Sequence, residues 1–370
     1  MRSGSVFPIA ALACIVAVVA APAQKKSKKE ETQVLQVPRD LPSAVTGDPR
    51  RLTFHVTPLS AKGLLSQQIR DALKALNRNT GNDTVLKIRA FTAGSGDLRR
   101  VRDLVSEVFT ERKQPLPVLT LVQSGGLPLE GAQVVLESIS SSRKDVNPHG
   151  LVFLSARLAA GGPATDPVAP LTEKSLASLR GSLRAAGSDA ADMLRVTCFL
   201  STLDNIAASR KLVESEYPRA ALNFVQTQRV PFEAMAACEG VARLRSANAA
   251  RLQLKNVEGS SADAGVSHMA IVNAPNVVLT GSQISFGYEE RNSRLAFDRL
   301  VKGLEQAGSS PRNVAYAQYY PLSQGLANQV IKIRGEVFAA GPPPAGGLLF
   351  FEGLPSMDAG FAVDVVAVKD

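Results

Sequence analysis

The sequence predicts an α+β fold made of three tandem copies of one module. Three observations carry this. First, a strand-like run occurs three times: VLKIRAFTAG from Val85, MLRVTCFLST from Met193 and NVAYAQYYPL from Asn313. Second, each run leads into an amphipathic helix: DLRRVRDLVSEVF from Asp97, NIAASRKLVESEY from Asn205 and ANQVIKIRGEVF from Ala327. Third, each helix is followed by a proline pair and then a closing strand with one acid. The pairs are Leu127-Pro128, Val230-Pro231 and Leu354-Pro355, and the acids are Glu137, Glu239 and Asp364. One unit repeated three times in a polypeptide implies a covalent version of a homotrimer, with function sought between copies.

Residues 1–23 read as a secretory signal peptide. Arg2 gives the positive start, Val6–Ala21 is apolar, and Ala21-Pro22-Ala23 offers small residues for cleavage before Gln24. An uncleaved anchor is disfavoured because the run is shorter than the roughly 20 residues of a spanning helix and contains Pro8. A lipoprotein site at Cys14 is disfavoured too, since the apolar run continues past it. The expectation is export, periplasmic or extracellular if the source is bacterial, with no stable membrane span once the signal is removed.

Residues 24–50 are basic, then acidic, then unpatterned, and are expected to be a disordered linker. The first module is expected over 51–142, opening on the strand TFHVTPLS from Thr53. Leu65, Ile69, Leu73 and Leu76 form a helical stripe behind it, broken at Gly81-Asn82-Asp83. The second module spans 143–247 and opens on LVFLSARLA from Leu151. Thr172 is the expected N-cap of its first helix, whose Leu176, Leu179 and Leu183 share a face, and Gly187 marks the end. Leu194, Val196, Cys198 and Leu200 alternate with Arg195, Thr197 and Phe199, as in a strand with one face more buried. A polar linker over 248–265 leads to the third module, 266–370, opening on NVVLTGSQIS from Asn276. Its first helix carries Phe297, Leu300, Val301 and Leu304, and a Gly- and Pro-rich loop from Gly341 precedes a LLFF strand. Strands alternating with helices predict a mixed sheet per module, both helices on one face, leaving the bare faces to cover one another.

Composition narrows the function. The net charge is +9, and +8 once the signal is removed, but Lys25, Lys26, Lys28 and Lys29 supply half of that in the linker. No arginines or lysines interleave with aromatics as a single-strand-binding surface would, so no nucleic-acid partner is expected. His55, His149 and His268 stand apart from one another and from other ligand types, so no metal site is expected; no cofactor is implied either. Cys198 and Cys238 lie on two predicted strands of the second module; a disulfide between them and two buried thiols both remain open.

The runs LVFLSARLA and SLASLRGSLRAAGSDAADMLRVTCFLSTLDNIAASRKLVESEYP of the second module, with NVVLTGSQIS and LAFDRLVKGLEQAGSSPRNV of the third, resemble the Rid family (reactive intermediate deaminases, also labelled endoribonuclease L-PSP-like). The resemblance spans about 51–370 and is weakest in the first module. It implies chorismate-mutase-like domains closing into a pseudo-trimer, with sheets lining a central barrel, helices outside and ligand clefts between modules. The chain would then be a monomer that stands for a trimer, with a small-molecule ligand at those clefts. Many family members hydrolyse enamines and imines, an arginine clamping the substrate carboxylate and a glutamate positioning water.

The departures from that pattern are specific. The family's arginine position falls on Leu119, Leu222 and Gly346, and the water-holding acid on Val135, Ala237 and Ala362. Tyr217-Pro218-Arg219 resembles the family's aromatic-Pro-x-Arg with one residue deleted, which makes Arg219 a candidate substrate-binding residue. Glu137, Glu239 and Asp364 are the others, and no catalytic residue is assigned. The expectation is ligand or partner binding with the arginine clamp largely lost. The alternative is imine deaminase activity at one retained cleft. A ribonuclease is disfavoured for want of a histidine pair.

Overall fold

A computed structural model describes residues 39–94, 96–259 and 265–370. The expected signal peptide, and the start of the expected linker, lie outside the described residues. No described helix is long and apolar enough to cross a membrane.

In chain order the elements are β1 (Ala44–Gly47), β2 (Leu52–Val56), α1 (Leu65–Thr80), β3 (Thr84–Ala93), α2 (Arg99–Glu111), β4 (Val118–Ser124) and β5 (Val134–Ser141). There follow β6 (Leu151–Ala160), α3 (Ala169–Ala185), β7 (Met193–Leu200), α4 (Ile206–Glu216), β8 (Ala221–Gln226), β9 (Met235–Arg243) and β10 (Leu252–Lys255). The last are β11 (Met269–Val272), β12 (Val277–Thr280), β13 (Gln283–Phe286), α5 (Glu290–Gln306), β14 (Val314–Pro321), α6 (Gln324–Val337), β15 (Ala345–Leu348) and β16 (Ala359–Val368).

The strands form three sheets with one shared path. The first runs β2-β5-β3-β4, and the second repeats it as β6-β9-β7-β8. In the third, β12 and β13 both pair with β16, which continues to β14 and β15. In every sheet the last pair is parallel and the others on this path are antiparallel. The fold is therefore mixed α+β.

Each sheet keeps its helices on one face. Leu65, Ile69, Leu73 and Leu76 of α1 and Val101, Leu104 and Val108 of α2 pack on Ile88, Ala90 and Leu136. Leu176, Leu179 and Leu183 of α3 meet Val196, Cys198 and Leu200, and Phe297, Leu300 and Leu304 of α5 meet Val363 and Val365. The opposite faces pack on one another. Phe54, Phe153 and Tyr316, one from each sheet, share one apolar cluster; Phe91, Phe199 and Tyr320 share a second. A sheet face this apolar has to leave water, and the other two sheets supply the cover.

Several expectations need correction. The three sheets do not close into a barrel: they remain separate, joined by isolated bridges Gly126–Gln226, Gln123–Gly353 and Ser267–Ala345. The segment expected to be linker up to residue 50 contains β1, which pairs antiparallel with β12 from Ala44 opposite Thr280. The linker over 248–265 likewise contains β10, paired with β11, and β11 adds to the second sheet through β6. Thr172 is not an N-cap: α3 starts at Ala169, and the buried Thr172 hydroxyl donates to the Val168 carbonyl at 2.9 Å and meets Ser209 Oγ at 3.0 Å. The opening strand of the third module is split into β12 and β13, and the strand expected at LLFF ends at Leu348. Cys198 and Cys238 are bonded; they stand directly opposite one another on β7 and β9.

Candidate functional site

The three acids of the closing strands do converge, but on the axis between the sheets. Glu137, Glu239 and Asp364 are 1%, 0% and 4% exposed. Strand alternation explains the placing: Leu136, Cys238 and the pair Val363 and Val365 point to the helices, so their neighbours point to the shared centre. Register adds the rest. Arg89 stands opposite Glu137, Thr197 opposite Glu239 and Gln318 opposite Asp364, so these three are equivalent positions. Two residues earlier on the same strands lie Lys87, Arg195 and Tyr316; two later lie Phe91, Phe199 and Tyr320.

Each acid is held by the next sheet in a cycle. Glu137 of the first sheet accepts from Thr197 Oγ1 at 2.6 Å and Asn223 Nδ2 at 2.7 Å, both of the second, with Arg195 Nη1 at 3.5 Å. Glu239 of the second accepts from the Tyr316 hydroxyl at 2.8 Å and from Gln318 Nε2, both of the third. Asp364 of the third accepts from Lys87 Nζ and from Thr120 Oγ1 at 2.9 Å, both of the first; Tyr320 of its own sheet adds a bond at 3.0 Å. Arg89 ties two acids together, with Nε 2.8 Å from Glu137 Oε2 and Nη2 2.6 Å from Glu239 Oε1. Three carboxylates thus face three cations, Lys87, Arg89 and Arg195. Burial works against the charge of Glu137, but Arg89 and Arg195, with the Thr197 and Asn223 bonds, hold its carboxyl down at about 2. Burial lowers the Lys87 ammonium, opposed by Asp364, and burial together with Glu239 raises the Tyr316 phenol. The Arg89 guanidinium lies 5.1 Å from the Phe91 ring centre and 5.7 Å from that of Phe199.

This layer leaves a space of about 30 Å³, lined by Lys87, Arg89, Glu137, Arg195, Gln318 and Asp364 among others. That is room for about one water and for no organic ligand. The axial layer is therefore a closed structure.

Open space lies between sheets. The cleft between the first and third has a volume of about 430 Å³ and is walled by Leu119 and Leu121 of β4, Ile284 and Phe286 of β13, and Arg99 and Arg102 of α2. Leu41, Pro42 and Ser43, just before β1, also line it, as do Gly281 and Ser282 of the β12–β13 turn and Pro355 and Ser356. The cleft between the second and third sheets, about 210 Å³, is lined by Leu158, Phe232, Met235, Leu348 and Phe350, with Glu233 the one charged residue among the described lining residues. Phe232 is 86% exposed there. The first and second sheets are pressed together instead: a Cβ on Gly125 would stand 2.6 Å from the Gln228 carbonyl carbon.

Solved structures similar to parts of this chain include members of the Rid and YjgF families. A Rid-family protein of unknown function from Yersinia pestis is 15% identical with a TM-score of 0.31, over 32% of this chain and 99% of that one. A YjgF-family member from Neisseria meningitidis is 16% identical with a TM-score of 0.24, over 32% and 95% of the two chains. A member of the YjgF/YER057c/UK114 family from Mycobacterium tuberculosis is 18% identical with a TM-score of 0.24, over 32% and 98%. No family model and no curated protein matches the sequence.

Of the residues singled out from the sequence, the acids meet one another but line neither open cleft. Arg219 sits exposed on the turn between α4 and β8 and also lines neither. At the family's arginine positions, Leu119 walls the larger cleft and Leu222 packs at the edge of the helix-side core of the second sheet. Gly346 admits no side chain at all: at φ 152° its Cβ would lie 1.8 Å from the Ala317 carbonyl oxygen. Sequence reasoning missed Lys87, Arg89, Arg195, Tyr316 and Gln318. Their signal was present as a polar residue, another polar residue and an aromatic at i, i+2 and i+4 of each repeated run.

Proposed function

We propose that this chain is an exported, single-chain Rid-like pseudo-trimer that binds a small molecule in the clefts between its modules and does not hydrolyse imines. The cyclic bonding of the axial layer carries the pseudo-trimer. Lys87, Arg195 and Tyr316, at equivalent positions on the three sheets, each face the acid of the preceding sheet, as subunits of a cyclic oligomer do. The clefts carry the binding: the larger lies in the size range of ligand pockets and mixes an apolar wall with a few polar groups. The missing clamp argues against deamination. Leu119 stands where a carboxylate-binding arginine is expected, and the three acids are committed to partners on the axis. A clamp made of charge-assisted hydrogen bonds contributes several kcal/mol to orientation and binding, and neither Leu119 nor Gly346 can replace it.

The test has two parts. The purified chain, lacking residues 1–23, is expected to be a monomer by light scattering, and to leave 2-aminoacrylate generated by a dehydratase decaying at its uncatalysed rate. Turnover well above that rate, lost in Arg219→Ala, would instead establish a deaminase.

A further inference from the structure

We propose that the cleft between the first and third sheets takes an amphipathic organic anion, with Arg99 and Arg102 as its charge anchors; this rests on the small-molecule reading above and specifies its ligand. Among the described residues the lining holds two arginines and no acid, set against Leu41, Leu119, Leu121, Ile284 and Phe286. Such a wall favours a ligand with one anionic end and an apolar body.

The arginines sit where folding alone would not put them. The first turn of α2 carries Arg99, Arg100 and Arg102 and no acid. That is the positive end of the helix dipole, where acids are stabilising and arginines are not. Arg100 turns away to Ser66 Oγ on α1 at 3.2 Å, leaving the other two at the cleft. Asp97, outside the cleft lining, accepts from the Arg99 backbone N–H at 2.9 Å and offsets part of the conflict. A local rule broken in this way is expected at a functional position. The present partners are weak holds: Arg99 pairs with Asp97 and Arg102 with Asp40, acids whose side chains are 56% and 97% exposed. An incoming anion displaces solvated pairs of this kind at little cost. The other cleft has no such pair, its charged residue being Glu233.

The experiment uses the purified chain lacking residues 1–23, with octanoate and neutral 1-octanol as probes, followed by titration calorimetry at low salt. Octanoate is expected to bind one-to-one and at least tenfold more tightly than octanol. Arg99→Ala with Arg102→Ala is expected to weaken octanoate at least tenfold without changing the melting temperature. Ser282→Trp, which places an indole in the cleft from the β12–β13 turn, is expected to abolish binding. Equal affinity for the two probes, or octanoate binding indifferent to the arginine changes, would overturn the anion class while small-molecule binding stood. Octanoate bound normally by Ser282→Trp would overturn this cleft as the site. No binding of either probe at millimolar concentration would overturn both the anion class and the binding reading.

Discussion

The axial layer and the larger cleft share a strand and have opposite electrostatics. On β4, Thr120 points to the axis and donates to Asp364, while its neighbours Leu119 and Leu121 wall the cleft. On the axis, three carboxylates are matched by three cations and the remaining space holds about one water. In the cleft, the described lining residues include Arg99 and Arg102 and no acid, the two arginines pairing with exposed acids beside the wall, Asp97 and Asp40. The difference teaches where each kind of charge is used. Buried ions that satisfy one another hold the sheets in register; exposed ions in solvated pairs can exchange partners for a ligand.

The largest expected effect falls on the axis. Arg89→Met leaves Glu137 and Glu239 with one shared cation, Arg195, at 3.4–3.5 Å. Breaking a buried pair by removing one partner costs about 3–5 kcal/mol, so urea denaturation should show a loss of that size. A loss under about 1 kcal/mol would mean that the layer is hydrated and open like the cleft.

Acid should attack the same layer. The Glu137 carboxyl is held at about 2, against 4.5 for the free side chain. Because the folded value is the lower one, the stabilisation is complete above about pH 4.5 and disappears as the pH falls through about 2. The size is roughly 3 kcal/mol, measured as the difference in unfolding free energy between pH 6 and pH 2. In Glu137→Gln the acid limb should be flatter by that amount.

The disulfide sharpens the comparison from the helix side of the second sheet. Cys198→Ala with Cys238→Ala opens a loop of sequence separation 40 and should cost about 2–4 kcal/mol in a denaturant titration, with no change in cleft binding. Smallest of all, Arg219→Ala should leave both melting temperature and octanoate affinity unchanged, since the side chain is exposed and outside both clefts.

Much of the fold was legible because hydrophobic period fixes elements well. The stripe of Leu65, Ile69, Leu73 and Leu76 marked α1, and the closing strands fell at β5, β9 and β16. What period cannot show is the partner of a face. Arg195 and Thr197 alternate with apolar residues and suggest a half-exposed strand, yet both are buried, because a second sheet rather than water meets that face. The acids were visible as a repeat, but their destination depended on which donors stand opposite, and register is not written in any one strand. β1 escaped notice for a related reason. Four residues carry little pattern, and Ala44–Gly47 becomes a strand only where β12 offers an edge. The disulfide needed the same knowledge, that Cys198 and Cys238 face one another across β7 and β9. Arg219 rested on a short motif, which fixes neither side-chain direction nor neighbours; the structure leaves it exposed on a turn.

A double-mutant cycle between Arg89 and Glu239, one on the first sheet and one on the second, is the most direct test that the modules close on one another. With Arg89→Met, Glu239→Gln and the pair compared by urea denaturation, the two residues in contact at 2.6 Å should show a coupling of about 2 kcal/mol or more. Additive losses, with coupling near zero, would mean that these side chains do not meet and that the sheets do not share an axis.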